Sequence, residues 1–218
     1  EQINVDVEAL MDEAEGYQHT EAIEYLAGYG HAYGPREYLD LIHAAKKSVD
    51  VPIIASINCI TAERWGDYAA QLAAAGADAL EINVAFLPNT PEMSSVEVEA
   101  RYEKILQAVR ARTDLPVALK IGHFFSAFHN LAHRLDKGSH GADALVLFNR
   151  FYRLDIDIDA LQVVPANPYS TQDEIHTSLR WIMLLAGNVS CDLSATTGVH
   201  DGQDAVKQIL AGAATVQV

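Results

Sequence analysis

The chain has 218 residues, 50% hydrophobic and 21% charged, with 30 acidic against 15 basic side chains and a formal net charge of −15, which suits one soluble domain with a sizeable core. That acidity repels phosphate backbones and anionic lipid surfaces, so nucleic acid and membranes are excluded as expected partners; a small-molecule substrate is expected, and self-association into a homo-oligomer stays open. Cys59 and Cys191 are too few for a disulfide framework and no signal-like or membrane-length apolar run occurs, which fits a reducing cytoplasm.

Residues 1–34 contain no Lys or Arg and many acids, from Glu1 to Glu24, and are expected to form an acidic excursion, either a solvated surface segment or a lid. After Gly34 the pattern becomes regular. Pro35 opens a helix carrying Tyr38, Leu41, Ile42 and Ala45 and ending in Lys46 and Lys47, which complement its dipole. A strand at Pro52 to Asn58 follows. Thr61 is the expected cap of a second helix with Trp65, Tyr68, Ala69 and Leu72, stopped near Gly76. Ala79 to Val84 is the next strand, interrupted by Glu81 and Asn83, and Pro88-Asn89 turns out of it. Ser94 and Glu97 form a capping box for a third helix with Val98, Tyr102, Ile105, Leu106 and Val109 on one face. Further strands are expected at Val117 to Ile121, Ala144 to Asn149, Val189 to Thr196 and Ala214 to Val218, with a helix over Gln203 to Leu210.

An internal repeat fixes the architecture. Asp50-Val51-Pro52 returns as Asp114-Leu115-Pro116, and Gly76-Ala77-Asp78-Ala79-Leu80 as Gly141-Ala142-Asp143-Ala144-Leu145, with a weaker third copy at Gly212 to Val216. The repeating unit of strand and helix, duplicated in this way, predicts an α/β fold with a parallel sheet closed as a (β/α)8 TIM barrel. Six strands are counted, about strands 3 to 8, so the barrel is expected to be incomplete in this chain, with its flanking strands missing from the sequence or supplied by another chain.

In such a barrel the ligand site lies at the carboxyl ends of the strands. Asn58, Asn83, Lys120 and Asn149 each stand at or near such an end. An Asn there equally serves turn chemistry. Lys120, after Val117-Ala118-Leu119, has to bury its stem and find an anion, in a structural salt bridge or in a ligand. His129 and His133 have the spacing of two ligands on one helix face, yet no Glu follows His129, so no metal is expected. Cys59 and Cys191 are expected to be small buried hydrophobes, and His123 and His200 polar neighbours of the site.

VPIIASINCITAERWGDYAAQLAAAGADALEINV, PVALK, ADALVLFNRF and ATTGVHDGQDAVKQILAGA resemble, in this order, the flavin-binding barrels of the dihydroorotate dehydrogenase family. The resemblance covers about Val51 to Val218, with the preceding residues matching more loosely. It implies a single FMN-binding domain over residues 1–218 and oxidation or reduction of a ring carbon-carbon bond in a pyrimidine-like substrate. By the same resemblance Asn58, Lys120 and Gly198 are cofactor-binding, with Lys120 against the flavin N1 and O2 and Gly198 at the phosphate. Asn83, Asn149 and Asn89 are substrate-binding. The family's Cys or Ser base is not found: Val84-Ala85-Phe86-Leu87 offers no acid or base, and Thr197 stands where the first phosphate glycine is expected. The resemblance therefore implies an altered base and substrate, with the catalytic residue unassigned. A barrel binding a ligand without redox turnover, and a flavin-free lyase with Lys120 as its Schiff base, are the alternative functions.

Overall fold

The structure, a computed structural model, describes residues 35–58, 62–84, 86, 88, 90–136, 140–151 and 153–218. The expectations for residues 1–34, for Cys59, for Thr61 as a cap and for Ala85, Leu87 and Asn89 fall outside the described residues.

In chain order the elements are α1 (Pro35–Ser48), β1 (Ile54–Ile57), α2 (Ala62–Ala75), β2 (Ala79–Asn83), α3 (Ser95–Arg110), β3 (Val117–Ile121), α4 (Phe128–Leu135), β4 (Ala144–Leu147), β5 (Leu154–Asp157), β6 (Gln162–Pro165), α5 (Ile175–Leu185), β7 (Asp192–Ala195), α6 (Gly202–Ala211) and β8 (Thr215–Val216). Six strands form one sheet in the order β1-β2-β3-β4-β7-β8, and every pairing in it is parallel. This curled sheet with the six helices of the described residues is the arc of a (β/α)8 barrel. Each expected strand is present: β3 has the expected bounds and the other five are shorter at one or both ends.

The repeat has a mechanical meaning. Asp78 accepts from the Ile53 amide at 2.6 Å and pairs with Lys46 at 2.7 Å, tying the start of β1 to the last turn of α1. Asp143 does the same one unit on: it accepts from the Val117 amide at 2.7 Å and pairs with Arg110, tying the start of β3 to the end of α3. The aspartate of each GAD sequence thus satisfies an otherwise unpaired strand-end N–H and a basic side chain placed at a helix C-terminus. The third copy has Ala214 at that position. Asp136 fills the comparable task at β7, accepting from the amides of Ser190 at 2.9 Å and Cys191 at 2.6 Å.

Helix boundaries follow the local chemistry. Ser94 and Glu97 cap α3 reciprocally, the Ser94 amide donating to Glu97 at 2.8 Å and the Glu97 amide to Ser94 Oγ at 3.3 Å. The five residues expected on its inner face are all buried. Gly76, at φ +99°, ends α2 in the left-handed conformation. In α1, Ile42 is buried but Leu41 is 61% exposed, because the inner stripe of that helix runs through Tyr38 and Ile42 and Leu41 lies beside it.

One element lies outside the repeat. The antiparallel hairpin β5–β6 is inserted between β4 and α5, the helix that leads on to β7. Leu154, Ile156 and Ile158 alternate with Asp155, Asp157 and Asp159, a period of two that marks a strand.

Strand alternation divides the sheet into two faces. Leu80, Ile82, Val117, Leu119, Ile121, Leu145, Leu147, Leu193 and Ala195 join Trp65, Leu72, Tyr102, Leu106, Phe128 and Ile182 of the helices in one core. The opposite face carries Ser56, Glu81, Asn83, Lys120, Ser194 and Thr215, which the register brings into adjacent rows.

Candidate active site

Three of the four strand-end residues are linked directly, and the fourth shares their rim. Asn83 at the end of β2 stands opposite Lys120 of β3. Asn149 Nδ2, just past β4, donates to Asn83 Oδ1 at 2.6 Å, and Asn149 Oδ1 accepts from the Arg150 amide at 3.0 Å. With one oxygen of the pair taken up by an amide and the other by the backbone, the Asn83 side chain keeps N–H donors at the rim. Asn58 follows the end of β1 at the same rim and is exposed.

Lys120 finds its anion inside the arc. Its Nζ lies 3.7 Å from Glu81 Oε1 and donates to Gln217 Oε1 at 3.1 Å. Glu81 also accepts from Ser56 Oγ at 3.1 Å and from Gln217 Nε2. The sequence marked Glu81 only as an interruption of its strand and Gln217 not at all, although each lies two residues from a neighbour on the same strand face, Asn83 and Thr215 respectively. The structural carboxylate expected for Lys120 is thus Glu81, and the residue also lines a cleft.

That cleft, of about 300 Å³, is lined by Lys120, Asn149, Arg150, Thr197, Gly198 and Gln217 among others. Arg150 reaches the carbonyl of Pro168 at 2.6 Å and Glu174 at 3.7 Å, so the segment between the hairpin and α5 is held at the cleft's edge. Burial raises the Glu174 carboxyl's affinity for a proton, but the Thr171 amide, Arg153 and Arg150 outweigh it and hold its pKa below the usual range.

The turn after β7 is tightly determined. Thr197 and Gly198 both adopt the left-handed region, at φ +76° and +78°. A Cβ at Gly198 would meet the Ile175 nitrogen at 2.2 Å, so the turn closes directly on the start of α5. Thr197 keeps the glycine-like backbone in spite of its branched side chain, with its Oγ1 donating to the Phe148 carbonyl at 3.1 Å. His200 is exposed beside this turn, 3.4 Å from Ser170 Oγ, and His123 is exposed with its ring edge to Phe148.

Other candidates stand away from the cleft. His129 and His133 are both exposed on α4. Cys191 lies just before β7, near the opposite rim; it is half-buried rather than fully in the core, and burial together with Asp136 pushes its thiol up to about 12, the range of an unreactive cysteine. Where a base would be sought, Val84 is buried and Phe86 lies under the Arg101 guanidinium, 4.1 Å from its ring centre.

An arc of parallel strands with helices on one face defines an incomplete (β/α)8 barrel, and the polar cluster stands at its carboxyl rim, where barrels of this class place their ligand sites. The chain belongs to the dihydroorotate dehydrogenase family, whose model, described as "Dihydroorotate dehydrogenase", matches residues 28–218. Among its relatives, the catalytic subunit of dihydroorotate dehydrogenase B (NAD(+)) from Pyrococcus abyssi is 29% identical over 217 residues, 95% of this chain and 71% of the relative. The corresponding subunit from Thermoplasma acidophilum is 26% identical over 221 residues, with the same coverage of 95% and 71%. A relative from Aeropyrum pernix is 28% identical over 193 residues, and there the chain spans 61% of the relative's length. Among solved structures, dihydrodipicolinate synthase from Oceanobacillus iheyensis aligns with a TM-score of 0.53 at 12% identity, over 88% of this chain and 52% of that one. At that identity the likeness concerns the fold. No described helix is long and apolar enough to cross a membrane.

Proposed function

We propose that the chain is an FMN-binding barrel domain of an oxidoreductase acting on a CH–CH bond, similar to dihydroorotate dehydrogenase but without the usual Cys or Ser base. The observation that carries this reading is the convergence of Lys120, Asn149, Thr197 and Gly198 on one cleft, with Asn83 beside Asn149. In a chain of net charge −15, this cleft is rich in N–H and O–H donors and contains a lysine and an arginine, a donor set that suits an anionic ligand bearing several acceptors. FMN has that chemistry, and when bound it supplies the hydride acceptor. Lys120 would hold the ring's N1 and O2 edge, Asn58 another part of the ring, the turn at Gly198 the phosphate, and the amides of Asn83, Asn149 and Asn89 the substrate.

Lys120 favours this reading over a Schiff-base lyase. Its nitrogen is engaged as a donor to Gln217 and faces Glu81, and an amine would have to leave both to attack a carbonyl. The test is the visible spectrum of the purified protein, followed by FMN affinity in Lys120→Ala and in Lys104→Ala on the outer helix α3. Flavin absorbance, with affinity weakened only in Lys120→Ala, is the expected result. A protein without flavin that also fails to bind added FMN would support the non-redox alternative, a barrel that binds a small ligand without turnover. Substrate-dependent trapping of Lys120 by borohydride would support the lyase. The cytoplasm is the location in keeping with this function and with the chain's two cysteines.

A further inference from the structure

The polar cluster inside the strand arc contains a carboxylate for which the proposed chemistry has no use. Glu81 sits in the middle of β2 and is 7% exposed. A buried carboxylate is costly unless it is hydrogen-bonded and paired, and here both conditions are met. Ser56 Oγ donates to Oε1 at 3.1 Å, Gln217 Nε2 donates to Oε2, and the Lys120 ammonium lies 3.7 Å from Oε1. Gln217 also accepts from Lys120 at 3.1 Å, so a single carboxamide bridges the cation and the anion. Lys120 and Gln217 line the cleft and Glu81 does not. A ligand there meets an ammonium with its counter-charge directly behind it.

We propose that Glu81 is a positioning residue that, with Gln217, fixes Lys120 Nζ in the cleft and offsets part of its charge, so that the pair sets how strongly the cleft stabilises negative charge on a bound group. The site is then tuned by two opposed charges, of which the carboxylate is the more buried. The consequence is an asymmetry between the two single substitutions. Glu81→Gln keeps the shape and unmasks the cation, strengthening the cleft for anions. Lys120→Met leaves a buried carboxylate without its cation behind the ligand, which is worse than a neutral site. The double variant Glu81→Gln/Lys120→Met is neutral at both positions and therefore binds an anion better than Lys120→Met alone.

The first test requires no flavin. Reductive methylation with formaldehyde and cyanoborohydride, followed by peptide mass spectrometry, reads the reactivity of Lys120 with Lys104 as the internal reference. An ammonium that has lost its counter-ion releases its proton more readily and reacts faster. Lys120 is expected to be modified several-fold faster in Glu81→Gln than in the wild type, with Lys104 unchanged; equal rates would overturn the proposal. Should Glu81→Gln fail to fold, Gln217→Ala tests the bridge instead: it removes the acceptor that fixes Lys120 while leaving Glu81 in place, and a Lys120 rate unchanged from the wild type there overturns the positioning role.

The second test rests on the FMN reading. The flavin midpoint potential in Glu81→Gln is expected to move positive by about 30 mV, equivalent to about tenfold in the preference for the reduced form at two electrons. FMN affinity is expected to recover in the double variant relative to Lys120→Met. An unchanged potential together with additive losses would assign Glu81 a purely structural role and overturn the proposal. If the wild type binds no flavin, it is the FMN reading that fails, and the labelling result alone decides the role of Glu81.

Discussion

Gln217, just beyond β8, donates to the carboxylate of Glu81 on β2, a residue 136 positions earlier in the chain. Between these strands the sheet order places β3, β4 and β7. Four strand spacings laid flat would separate them by about 19 Å. The contact is possible because the sheet curls, and the polar face of every strand then points into one lumen. This curvature gives Lys120 a counter-ion from one neighbouring strand and a hydrogen-bond acceptor from the far side of the arc.

Tyr102 of α3 is fully buried, yet its hydroxyl has no hydrogen-bond partner, and burial raises its pKa well above the ordinary phenol range. Removing an unsatisfied hydroxyl while keeping the ring eliminates a desolvation cost. Tyr102→Phe is expected to be neutral or to stabilise by about 1 kcal/mol in urea unfolding. A loss of comparable size would mean that the hydroxyl has a partner.

At Thr197, φ of +76° places a β-branched residue in the left-handed region, an arrangement that costs roughly 1–2 kcal/mol for L-residues. Glycine adopts that conformation freely but gives up more chain entropy, and the Thr197 Oγ1 bond to Phe148 is lost. The balance predicts that Thr197→Gly stabilises by roughly 0.5–1 kcal/mol and that Thr197→Val, which loses the bond and keeps the strain, destabilises. Thermal midpoints in the reverse order would show that the hydroxyl outweighs the strain.

Two aspartates predict the acid limb of stability. At Asp136 burial raises the carboxyl, but the hydrogen bonds from Ser190 and Cys191 outweigh it and the folded pKa is lowered. Asp204 is held down to about 2, first by Lys207, against burial, and then by Gln172 and the His200 amide. A carboxylate depressed in the folded state contributes stability that is fully present above its unfolded value, near 4, and is lost as pH falls through the folded value. Unfolding free energy should therefore fall between about pH 4 and pH 2. Asp136→Asn should lower stability at pH 7 by about 1–3 kcal/mol and flatten that limb. An acid limb as steep as in the wild type would place the protonation elsewhere.

Dihydroorotate oxidation removes a proton from one ring carbon and a hydride from the next, and a positioned base contributes about 10²- to 10⁴-fold to such a step. Phe86, packed under Arg101, offers none. The FMN-loaded protein is expected to turn dihydroorotate over slowly or not at all while remaining reducible by dithionite. Cys placed at residue 85, 86 or 87 in turn is expected to recover rate at the position facing the ring. Wild-type turnover at the rate of a Cys-containing relative would show that another group is the base.

Much of the fold was legible because it depends on local chemistry that repeats. The Ser94–Glu97 capping box, the inner stripe of α3, the stop at Gly76 and the duplicated Gly-Ala-Asp sequence all act within one or two elements of where they stand. The hairpin β5–β6 was legible in principle from the alternation at Leu154 to Asp159. It was hidden by the regularity of the strand and helix unit around it.

For the candidate site the sequence by itself determined which polar residues stand at strand ends: Asn58, Asn83, Lys120 and Asn149 follow apolar runs, and strand geometry carries them to the carboxyl rim. Only the tertiary structure decided what those residues touch. That Asn149 hydrogen-bonds Asn83, that Glu81 is the counter-ion of Lys120 and that Gln217 bridges them depends on register and on sheet curvature. Register is set by pairing across strands that are far apart in the chain, and curvature by the summed twist of the whole sheet. Neither quantity is encoded in any one stretch of residues.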